Sequence, residues 1–457
     1  MNYAEFSMIR FGGGLSPRQS GPDSPEALMR SLRRDKGLKS YAPLRTGAVN
    51  DMIAEFNLAR AAEREGVPGS EEAFDKARRA LLDAIYIASR ARLARAMDDR
   101  TGFAERLVQF WSNHFSIRPD GPRQRALKCA FENDAIRANL RGRFADLLKA
   151  ATLHPSMLLY LDQYVSVGPG SVSATRRKGN RGRGLNENHA RELLELHSLG
   201  IEGSYAQKDV RQLAELMTGL TVSENRRFEF NTRRVEPGAE EVLGASYGGE
   251  RPPKLDDIEA FLEDLATHPD TATYISRKLA THFCADDPPQ ALVADMRDRF
   301  RATGGDLMEV YAVMVAHPLA RETFGLKLRQ PYDLIQAGLR ALGVTGKEIM
   351  AWRGPSTRQG LFNPVERMGQ TAEGAPQPEG WPERLDAWLS PQLLAARIDW
   401  AMNWPGLIRD SLPDPRDFVN AALPAEQAAE IGPMAARAET LSDGIGVILA
   451  SPQFNRR

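Results

Sequence analysis

The chain has 457 residues, with 60 basic and 60 acidic side chains and 42% hydrophobic residues. This hydrophobic fraction is sufficient for a large buried core and excludes wholesale disorder. A formal net charge of zero argues against a dedicated nucleic-acid binder. The two cysteines, Cys129 and Cys284, are too few for a disulfide scaffold or a cysteine-rich metal site.

Neither a membrane span nor an export signal is evident in the sequence. No apolar run reaches the roughly 18 residues that a span requires. The first residues, MNYAEFSMIRFGGG, lack the basic and apolar regions of a signal peptide. We therefore expect a cytoplasmic protein, with a periplasmic or exported one as the alternative.

Helical periodicity dominates the chain and predicts one large, mainly α-helical globular domain, a multi-helix bundle over residues 1–457. Strand-like alternation at residues 227–235 predicts a minor β-hairpin excursion near 222–250. Two segments, 166–184 and 353–382, have the composition of long loops. In chain order, the predicted helices cover residues 46–66, 70–98, 102–115, 122–140, 142–152, 187–199, 206–220, 256–267, 270–284, 289–301, 306–316, 330–342, 384–402 and 433–450.

Three of the seven histidines, His154, His268 and His317, precede a proline. Because the residue before proline avoids the α region, a helix is expected to end at each of them. A histidine in the last turn of a helix also interacts favourably with the helix dipole. The histidines that remain as candidates for chemistry are His114, His189, His197 and His282.

Several sequence motifs together carry a resemblance to a known family. The longest are FWSNHF at residues 110–115 and LNENHARELLELHSLG at residues 185–200. Further matching residues are His154-Pro155, Tyr160-Leu161-Asp162, Tyr205, Asp209-Val210, Leu216-Met217-Thr218-Gly219, Arg277-Lys278-Leu279, Phe283, Gly380-Trp381-Pro382 and Ala450-Ser451-Pro452-Gln453-Phe454. On these motifs the chain resembles the bacterial family called domain of unknown function 1800.

The resemblance implies a large, mostly helical bacterial protein without a known activity. Family genes often lie beside genes of a second family, domain of unknown function 1501, which resembles sulfatases and alkaline phosphatases. A protein of that second family is therefore an implied partner. The chain departs from the family pattern in two ways. Many relatives look exported, whereas this chain shows no export signal. Relatives also often carry a His-Asp pair where this chain has Arg234-Val235-Glu236-Pro237.

Residues 186–199 form an amphipathic helix when they are placed at about 100° per residue. Asn186 is suited to cap the start of this helix. Glu187, Arg191 and Glu195 are four residues apart, so they form a ladder of ion pairs along one face. The opposite face should be buried, and it carries Ala190, Leu193, Leu194 and His197.

The side chains of this helix predict a functional site at the place where it packs against the end of the helix at residues 111–115. In the enzyme interpretation, Glu187 or Glu195 is the base and His114 is the acid, and each is alternatively a metal ligand. Arg191 then orients the carboxylates or binds an anion.

Helical bundles also build metal sites from carboxylates and histidines. A divalent metal is therefore a possible cofactor, with the candidate ligands His114, Asp162, Glu192 and His197. The fixed spacings Glu-x-x-His and His-Glu-x-x-His are absent from this helix. A plain ion-pair ladder beside a core histidine is the alternative explanation.

The segment that precedes this helix is strongly basic. It contains Arg176, Arg177, Lys178, Arg181 and Arg183, and no acidic residue. Because arginine binds phosphate or sulfate through paired N–H groups, this loop is predicted to hold an anionic substrate over the site. A solvated loop is the alternative. Nucleic acid is not expected, since no aromatic residues alternate with the basic ones.

Two functions therefore stay open. The first is a hydrolase or metal-dependent enzyme with its site between the 186–197 helix and the 111–115 helix end. The second is a non-catalytic accessory or scaffold partner of a protein of the domain of unknown function 1501 family. A concave pocket that contains the motif side chains would favour the enzyme. A broad apolar patch with the ladder in solvent would favour the partner.

Overall fold

The fold is mainly α-helical, in a computed structural model that describes residues 1–33, 40–175, 184–249, 254–371 and 374–457. The helices of the first half are α1 (Tyr3–Arg10), α2 (Pro25–Arg33), α3 (Thr46–Arg64), α4 (Ser70–Asp98), α5 (Phe103–His114), α6 (Gly121–Phe131), α7 (Phe144–Thr152), α8 (Pro155–Tyr160), α9 (Val172–Thr175), α10 (Asn188–Glu195) and α11 (Gln207–Leu216). A π-helical turn at Glu132–Arg137 continues α6, and a 3₁₀ turn covers Gln163–Val165.

The β excursion consists of two short antiparallel hairpins and confirms the predicted region. β1 (Leu220–Val222) pairs with β2 (Phe228–Phe230), and Leu220 lies opposite Phe230. A 3₁₀ turn at Thr232–Arg234 follows. β3 (Ala239–Val242) then pairs with β4 (Ala245–Gly248), and Ala239 lies opposite Gly248.

The second half returns to helices, with two departures from the predicted bounds. Its helices are α12 (Leu255–Thr267), α13 (Pro269–Phe283), α14 (Gln290–Ala302), α15 (Leu307–Ala316), α16 (Pro318–Glu322), α17 (Pro331–Ala341), α18 (Gly346–Ala351), α19 (Gly354–Thr357), α20 (Asn363–Arg367), α21 (Pro391–Ile408), α22 (Pro415–Ala422), α23 (Ala425–Ala435), α24 (Leu441–Ala450) and α25 (Pro452–Asn455). A 3₁₀ turn at Leu385–Trp388 precedes α21. The helix predicted at 384–402 begins only at Pro391, because Ser390 caps it through the backbone N–H of Leu393. The helix predicted at 433–450 is two helices, since Thr440 starts a new one by accepting the N–H of Asp443.

The predicted loop at 353–382 is partly helical. Its first half contains α19, a π-helical turn at Arg358–Phe362, and α20. These helices are too short for their apolar residues to show a helical period. The sequence of this segment therefore suggests a loop. The remaining part forms irregular backbone that contributes to the candidate site.

Apolar side chains pack in three clusters. The largest joins α1, α2, α5, α7, α8 and α10 to α15. The second joins the end of α4 to α17, α18 and α21 to α24, and it includes Trp400 and Trp404. The third joins α3, α4 and α6. This packing follows from the apolar stripes of the helices, because each stripe must be buried against another element.

Buried arginines satisfy backbone carbonyl groups between these clusters. The guanidinium group of Arg340 on α17 donates to the carbonyl oxygens of Gly14, Ala96, Asp99 and Arg100 at 2.6–3.2 Å. This one side chain thereby donates to a carbonyl group beyond α1 and to carbonyl groups at the end of α4. These carbonyl groups have no N–H donor within their own helix. Hydrogen bonds to charged groups contribute about 1.5–3 kcal/mol each, so this side chain joins distant segments firmly.

The histidines that precede prolines cap the following helices. Nδ1 of His154, His268 and His317 accepts the backbone N–H two residues later, at 3.1–3.2 Å. The predicted helix ends are therefore confirmed, but the predicted dipole interaction is replaced by N-capping of the next helix. A ring nitrogen that accepts a hydrogen bond is unprotonated. Accordingly, burial lowers the pKa of His154 to about 4.

None of the described helices combines the length and apolar character needed to cross a bilayer.

Candidate functional site

The central motif forms α10, which is shorter than predicted. The N-cap residue is Glu187, whose side chain makes no capping hydrogen bond, so the predicted position of the cap is wrong by one residue. Asn186 lies just before it, and its Oδ1 accepts the backbone N–H of Asn188, the first residue of the helix, at 2.9 Å. Its Nδ2 also donates to the carbonyl oxygens of Leu161 and Asp162. The helix ends at Glu195, and a turn carries the chain through His197 to Gly200. These hydrogen bonds of Asn186 fix the start of the helix against the end of α8.

The charged face of α10 carries the predicted ion-pair ladder. Arg191 lies 3.2 Å from Glu187 and 3.4 Å from Glu195, and it also donates to Gln207. The three ladder side chains are 24–37% exposed. Exposed pairs of this spacing stabilise a helix by about 0.3–0.5 kcal/mol each. The structure therefore brings Glu187, Arg191 and Glu195 together, but on the outer side of the helix.

The buried face of α10 meets the end of α5 as predicted. Nε2 of His114 donates to the carbonyl oxygen of His197 at 3.1 Å, and the two ring centroids are 6.1 Å apart. Burial lowers the pKa of His197 to about 3 and that of His114 well below its usual range. Both rings are therefore neutral. Nδ1 of each is buried without a hydrogen-bond partner.

His189, one of the histidines considered as candidates for chemistry, is fully buried on α10. Neither of its ring nitrogens has a hydrogen-bond partner, and burial lowers its pKa to about 3. A neutral ring in an apolar environment is a core residue. His189 therefore lies in the apolar core.

The predicted metal ligands do not assemble into a metal site. His114 and His197 are neighbours, but Asp162 is exposed in a left-handed turn with φ of 56°. Glu192 is half-buried, and its pKa is affected by other carboxylates. In the part of the chain that the structure describes, no group of three or more His, Cys, Asp or Glu side chains is arranged to hold a metal ion.

The predicted anion site lies outside the described residues. Arg176, Arg177, Lys178, Arg181 and Arg183 all fall within residues 176–183. The structure describes only the flanks of this loop, including α9. Its proposed role over the site therefore stays a prediction.

A cavity of about 530 Å³ opens beside His114, and we call it the Lys278 pocket. One wall comes from α5 and α13, and the opposite wall comes from residues 376–383. Its lining includes Phe110, Asn113, His114, Tyr274, Arg277, Lys278, Thr281, Glu379, Gly380, Trp381, Pro382 and Glu383. Such a concave mixture of aromatic and polar groups is typical of a small-molecule site.

Lys278 is the most unusual charged group of this pocket. Its ammonium lies 5.4 Å from the ring centroid of Tyr274. Among the described residues it forms neither a hydrogen bond nor an ion pair. Burial lowers the pKa of Lys278 to about 8, and Glu383 offsets this effect only in part. A fraction of this side chain is therefore a neutral amine near physiological pH, which is the form that acts as a base or nucleophile.

The wall opposite Lys278 is locked to α5 by a side-chain amide. Oδ1 of Asn113 accepts the N–H of Trp381 at 2.6 Å, and its Nδ2 donates to the carbonyl of the same residue at 3.1 Å. Gly380 has φ of 88°, and a Cβ atom there would lie 2.5 Å from the carbonyl oxygen of Asn113. Only glycine fits this close approach. The wall is therefore held in a fixed position by its sequence.

A buried charge network supports the same wall. Glu383 accepts a hydrogen bond from Nδ1 of His282 at 2.7 Å, and Nε2 of His282 accepts one from Arg106 at 3.1 Å. Lys327 donates to the backbone carbonyl of Glu383 at 2.6 Å. Burial opposes the charge of Glu383, but His282 and Lys327 hold its pKa at about 2. Because both ring nitrogens of His282 are engaged, this histidine positions the wall.

A second group with a shifted pKa, Glu192 on α10, lies outside the lining of the Lys278 pocket. Burial and the negative charges of Glu195 and Glu379 raise the pKa of Glu192 to about 7. Glu379 itself lines the Lys278 pocket. The central motif therefore contributes a carboxyl group that is protonated in part at neutral pH and that interacts electrostatically with Glu379 of the pocket lining.

A smaller polar cavity of about 150 Å³ adjoins the Lys278 pocket and shares Asn113 and Trp381 with it. Ser112 and Tyr332 line this cavity, and their hydroxyl oxygens are buried without a hydrogen-bond partner among the described residues. Glu132 and Phe362, from the two π-helical turns, also line it. Turns of this kind are frequent at functional sites.

Comparison with known proteins agrees with the motifs. A model of the family described as "Protein of unknown function (DUF1800)" matches residues 10–456. This chain belongs to the DUF1800 family. No curated protein and no solved structure matches the chain. The family description states no activity, so the function is inferred from the site itself.

In this DUF1800 protein, the residues that sequence reasoning missed come from the second half of the chain. Lys278 and Trp381 both lie in motifs that carry the family resemblance, but no chemistry was assigned to either. The residues that surround Lys278 and Trp381 in the pocket include ones about 100 to 270 positions away in the sequence. The available signal was the set of motifs, because three of them, at 110–115, 277–279 and 380–382, line this one pocket.

Proposed function

We propose that this DUF1800 protein is an enzyme, a hydrolase, that acts by acid–base chemistry in the Lys278 pocket. The observation that carries the proposal is an ammonium group without an ion pair or hydrogen-bond partner among the described residues, in a 530 Å³ cavity where three family motifs meet. Charged groups removed from water are normally paired. An unpaired one at a concave surface is a candidate for chemistry.

Lys278 is the general base in this proposal. Its neutral amine takes the proton from a water molecule or from the hydroxyl of Thr281, which lines the pocket one helical turn away. The resulting oxygen nucleophile attacks the carbonyl carbon of an ester, and the bond from that carbon to the leaving-group oxygen breaks as the ammonium returns the proton to that oxygen. Where Thr281 is the nucleophile, a water molecule that Lys278 deprotonates then releases the acyl group from the threonine. The ring of His114 forms part of the pocket lining, and it is held in place because its Nε2 donates to the carbonyl of His197.

Lys278 is the base and, once protonated, the acid in this proposal, and a second group tuned towards neutrality is Glu192, which interacts with Glu379 of the pocket lining. The pKa of Glu192 at about 7 and that of Lys278 at about 8 have moved towards neutrality from opposite directions. Environments that tune two groups in this way commonly mark the acid and the base of an active site. The ladder of Glu187, Arg191 and Glu195 then orients the helix that carries Glu192. The adjoining polar cavity takes the remaining part of the substrate.

The other predictions about function have less support. The metal-dependent version lacks a ligand set among the described residues. No contact of these residues favours a role as partner of a domain of unknown function 1501 protein, so that role stays a prediction. The acid–base proposal requires neither.

The experiment is hydrolysis of a series of p-nitrophenyl esters with acyl chains of increasing length. We compare the wild type with Lys278→Met, Lys278→Arg and the control Lys347→Met, which removes an exposed lysine. General acid–base groups contribute about 10²–10⁴-fold in rate, so the hydrolysis rate of both Lys278 variants should fall at least about 10²-fold. Arginine fails because it stays protonated.

The control should retain the rate of the wild type. Circular dichroism verifies that each variant is folded. Equal rates for the wild type and Lys278→Met on every ester would contradict the proposal.

A further inference from the structure

A pocket lined by arginines lies outside the Lys278 pocket, with which it shares no lining residue. Three elements form it: the end of α3, the start of α6, and the turn between β1 and β2. It encloses about 310 Å³. We call it the arginine pocket, and its lining is Asn57, Arg60, Ala61, Arg64, Arg123, Glu224 and Arg226.

The arginine pocket has an excess of positive charge. Among the described residues, none of its four arginines forms an ion pair. Arg123 donates instead to the neutral amide oxygen of Asn57 at 3.0 Å. The carboxylate of Glu224 is exposed and pairs with none of them. Burial and the charges of Arg226 and Arg60 lower the pKa of Arg123, so the guanidinium groups repel one another.

The backbone and helix that hold these arginines are themselves unfavourable. Arg60 and Arg64 are four residues apart on α3, a spacing at which like charges destabilise a helix. Arg226 has φ of 62°, in the left-handed region that a residue with a Cβ atom rarely occupies. Strain of this kind persists where it has a functional use. The repulsion between Arg60 and Arg64 and the left-handed backbone at Arg226 are thus two independent unfavourable features of the same pocket.

A second cavity of about 380 Å³ continues from the arginine pocket and shares Arg60 and Arg123 with it. Its walls include the rings of Phe56 and Phe74, whose centroids are 5.1 Å apart, and Pro122. The guanidinium group of Arg123 lies 5.4 Å from the centroid of the Phe56 ring. The two cavities therefore adjoin, with a cationic end and an aromatic end that also carries Arg78 and Asp120.

We propose that the arginine pocket binds a phosphate group and that its ligand is a small organic phosphate. The phosphate oxygens take the N–H groups of Arg60, Arg64, Arg123 and Arg226. Guanidinium forks match phosphate oxygens in pairs, and a doubly charged anion relieves the repulsion between them. The organic part of the ligand lies in the adjoining cavity against Phe56 and Phe74. This inference is independent of the hydrolase proposal.

Isothermal titration calorimetry at constant ionic strength tests it, with inorganic phosphate and phenyl phosphate as probes and chloride as the balancing anion. The wild type should bind both, and phenyl phosphate more tightly because its ring reaches the aromatic end. Arg60→Gln and Arg226→Gln should each weaken binding about tenfold or more, the loss of one charge-assisted contact. Arg79→Gln, an exposed arginine outside the pocket, is the matched control and should leave affinity unchanged.

Three results would overturn the inference. The first is the absence of saturable phosphate binding up to about 10 mM. The second is equal affinity of the wild type and Arg60→Gln, with thermal unfolding showing that both are folded. The third is tight, salt-dependent binding of a single-stranded oligonucleotide without binding of phenyl phosphate, which would assign the surface to nucleic acid.

Discussion

Replacement of Lys278 by methionine should stabilise the protein at neutral pH. The pKa of Lys278 is about 8 in the fold and 10.5 in an ordinary environment. At pH 7 the group is protonated in both the folded and the unfolded chain, so folding places an unpaired ammonium in the pocket. A shift of this size corresponds to roughly 3 kcal/mol at 1.36 kcal/mol per unit. Since Lys278 is only partly buried, we expect about 1–3 kcal/mol in the stability of Lys278→Met.

The sign of the pH dependence follows from proton binding. Between pH 8 and 10.5 the unfolded chain binds more protons at this lysine than the folded chain does. The stability of the wild type at this site therefore rises with pH across that window. The advantage of Lys278→Met should be complete below pH 8 and absent near pH 10.5.

Urea unfolding at pH 7 and pH 10 measures this difference, with Lys347→Met as the matched control at an exposed lysine. We expect the free energy of unfolding of Lys278→Met to exceed that of the control at pH 7 and to approach it at pH 10. A variant that is less stable than the control at pH 7, or a difference that does not change with pH, would refute the reasoning. Either result would mean that the ammonium has a partner in solution.

Three further substitutions test other parts of the structure. The pKa of His154 is about 4 in the fold, so the free energy of unfolding should fall as the pH is lowered from about 6.5 to 4. His154→Asn keeps a capping oxygen and should reduce this pH dependence in urea titrations. Glu105→Ala leaves buried Arg137 without its two-point partner and should cost roughly 3–5 kcal/mol in chemical denaturation; a loss below 1 kcal/mol would show that the pair is not buried in solution. Gly380→Ala should displace the pocket wall from Asn113 and lower ester hydrolysis while circular dichroism stays unchanged; full activity would refute the close approach.

The sequence was sufficient for what depends on neighbouring residues. Helix α4 occupies the predicted residues 70–98, because a long amphipathic stripe repeats often enough to be recognised. The ladder centred on Arg191 follows directly from helical spacing. The contact between His114 and the turn at His197 was also expected, since the two motifs contain few other residues suited to chemistry.

The parts that the sequence did not reveal depend on long-range packing. The pKa of Lys278 is lowered by burial, and the pocket in which it lies is completed by residues 376–383, about 100 positions further along the chain. Asp162 was a reasonable metal ligand by residue type, but its left-handed turn leaves it exposed. The arginine pocket draws its residues from three separate segments, so no local pattern could identify it. Desolvation and convergence of distant residues are properties of the fold, and they decide both sites.

The pKa of Lys278 in the folded protein is the most direct test of the central claim. Brief acetylation with acetic anhydride over a series of pH values, followed by peptide mass spectrometry, gives the reactive fraction of this amine at each pH. We expect a midpoint at about pH 8. A midpoint near the ordinary value of 10.5 would contradict it, because Lys278 would then be a solvated surface lysine and could not act as the base.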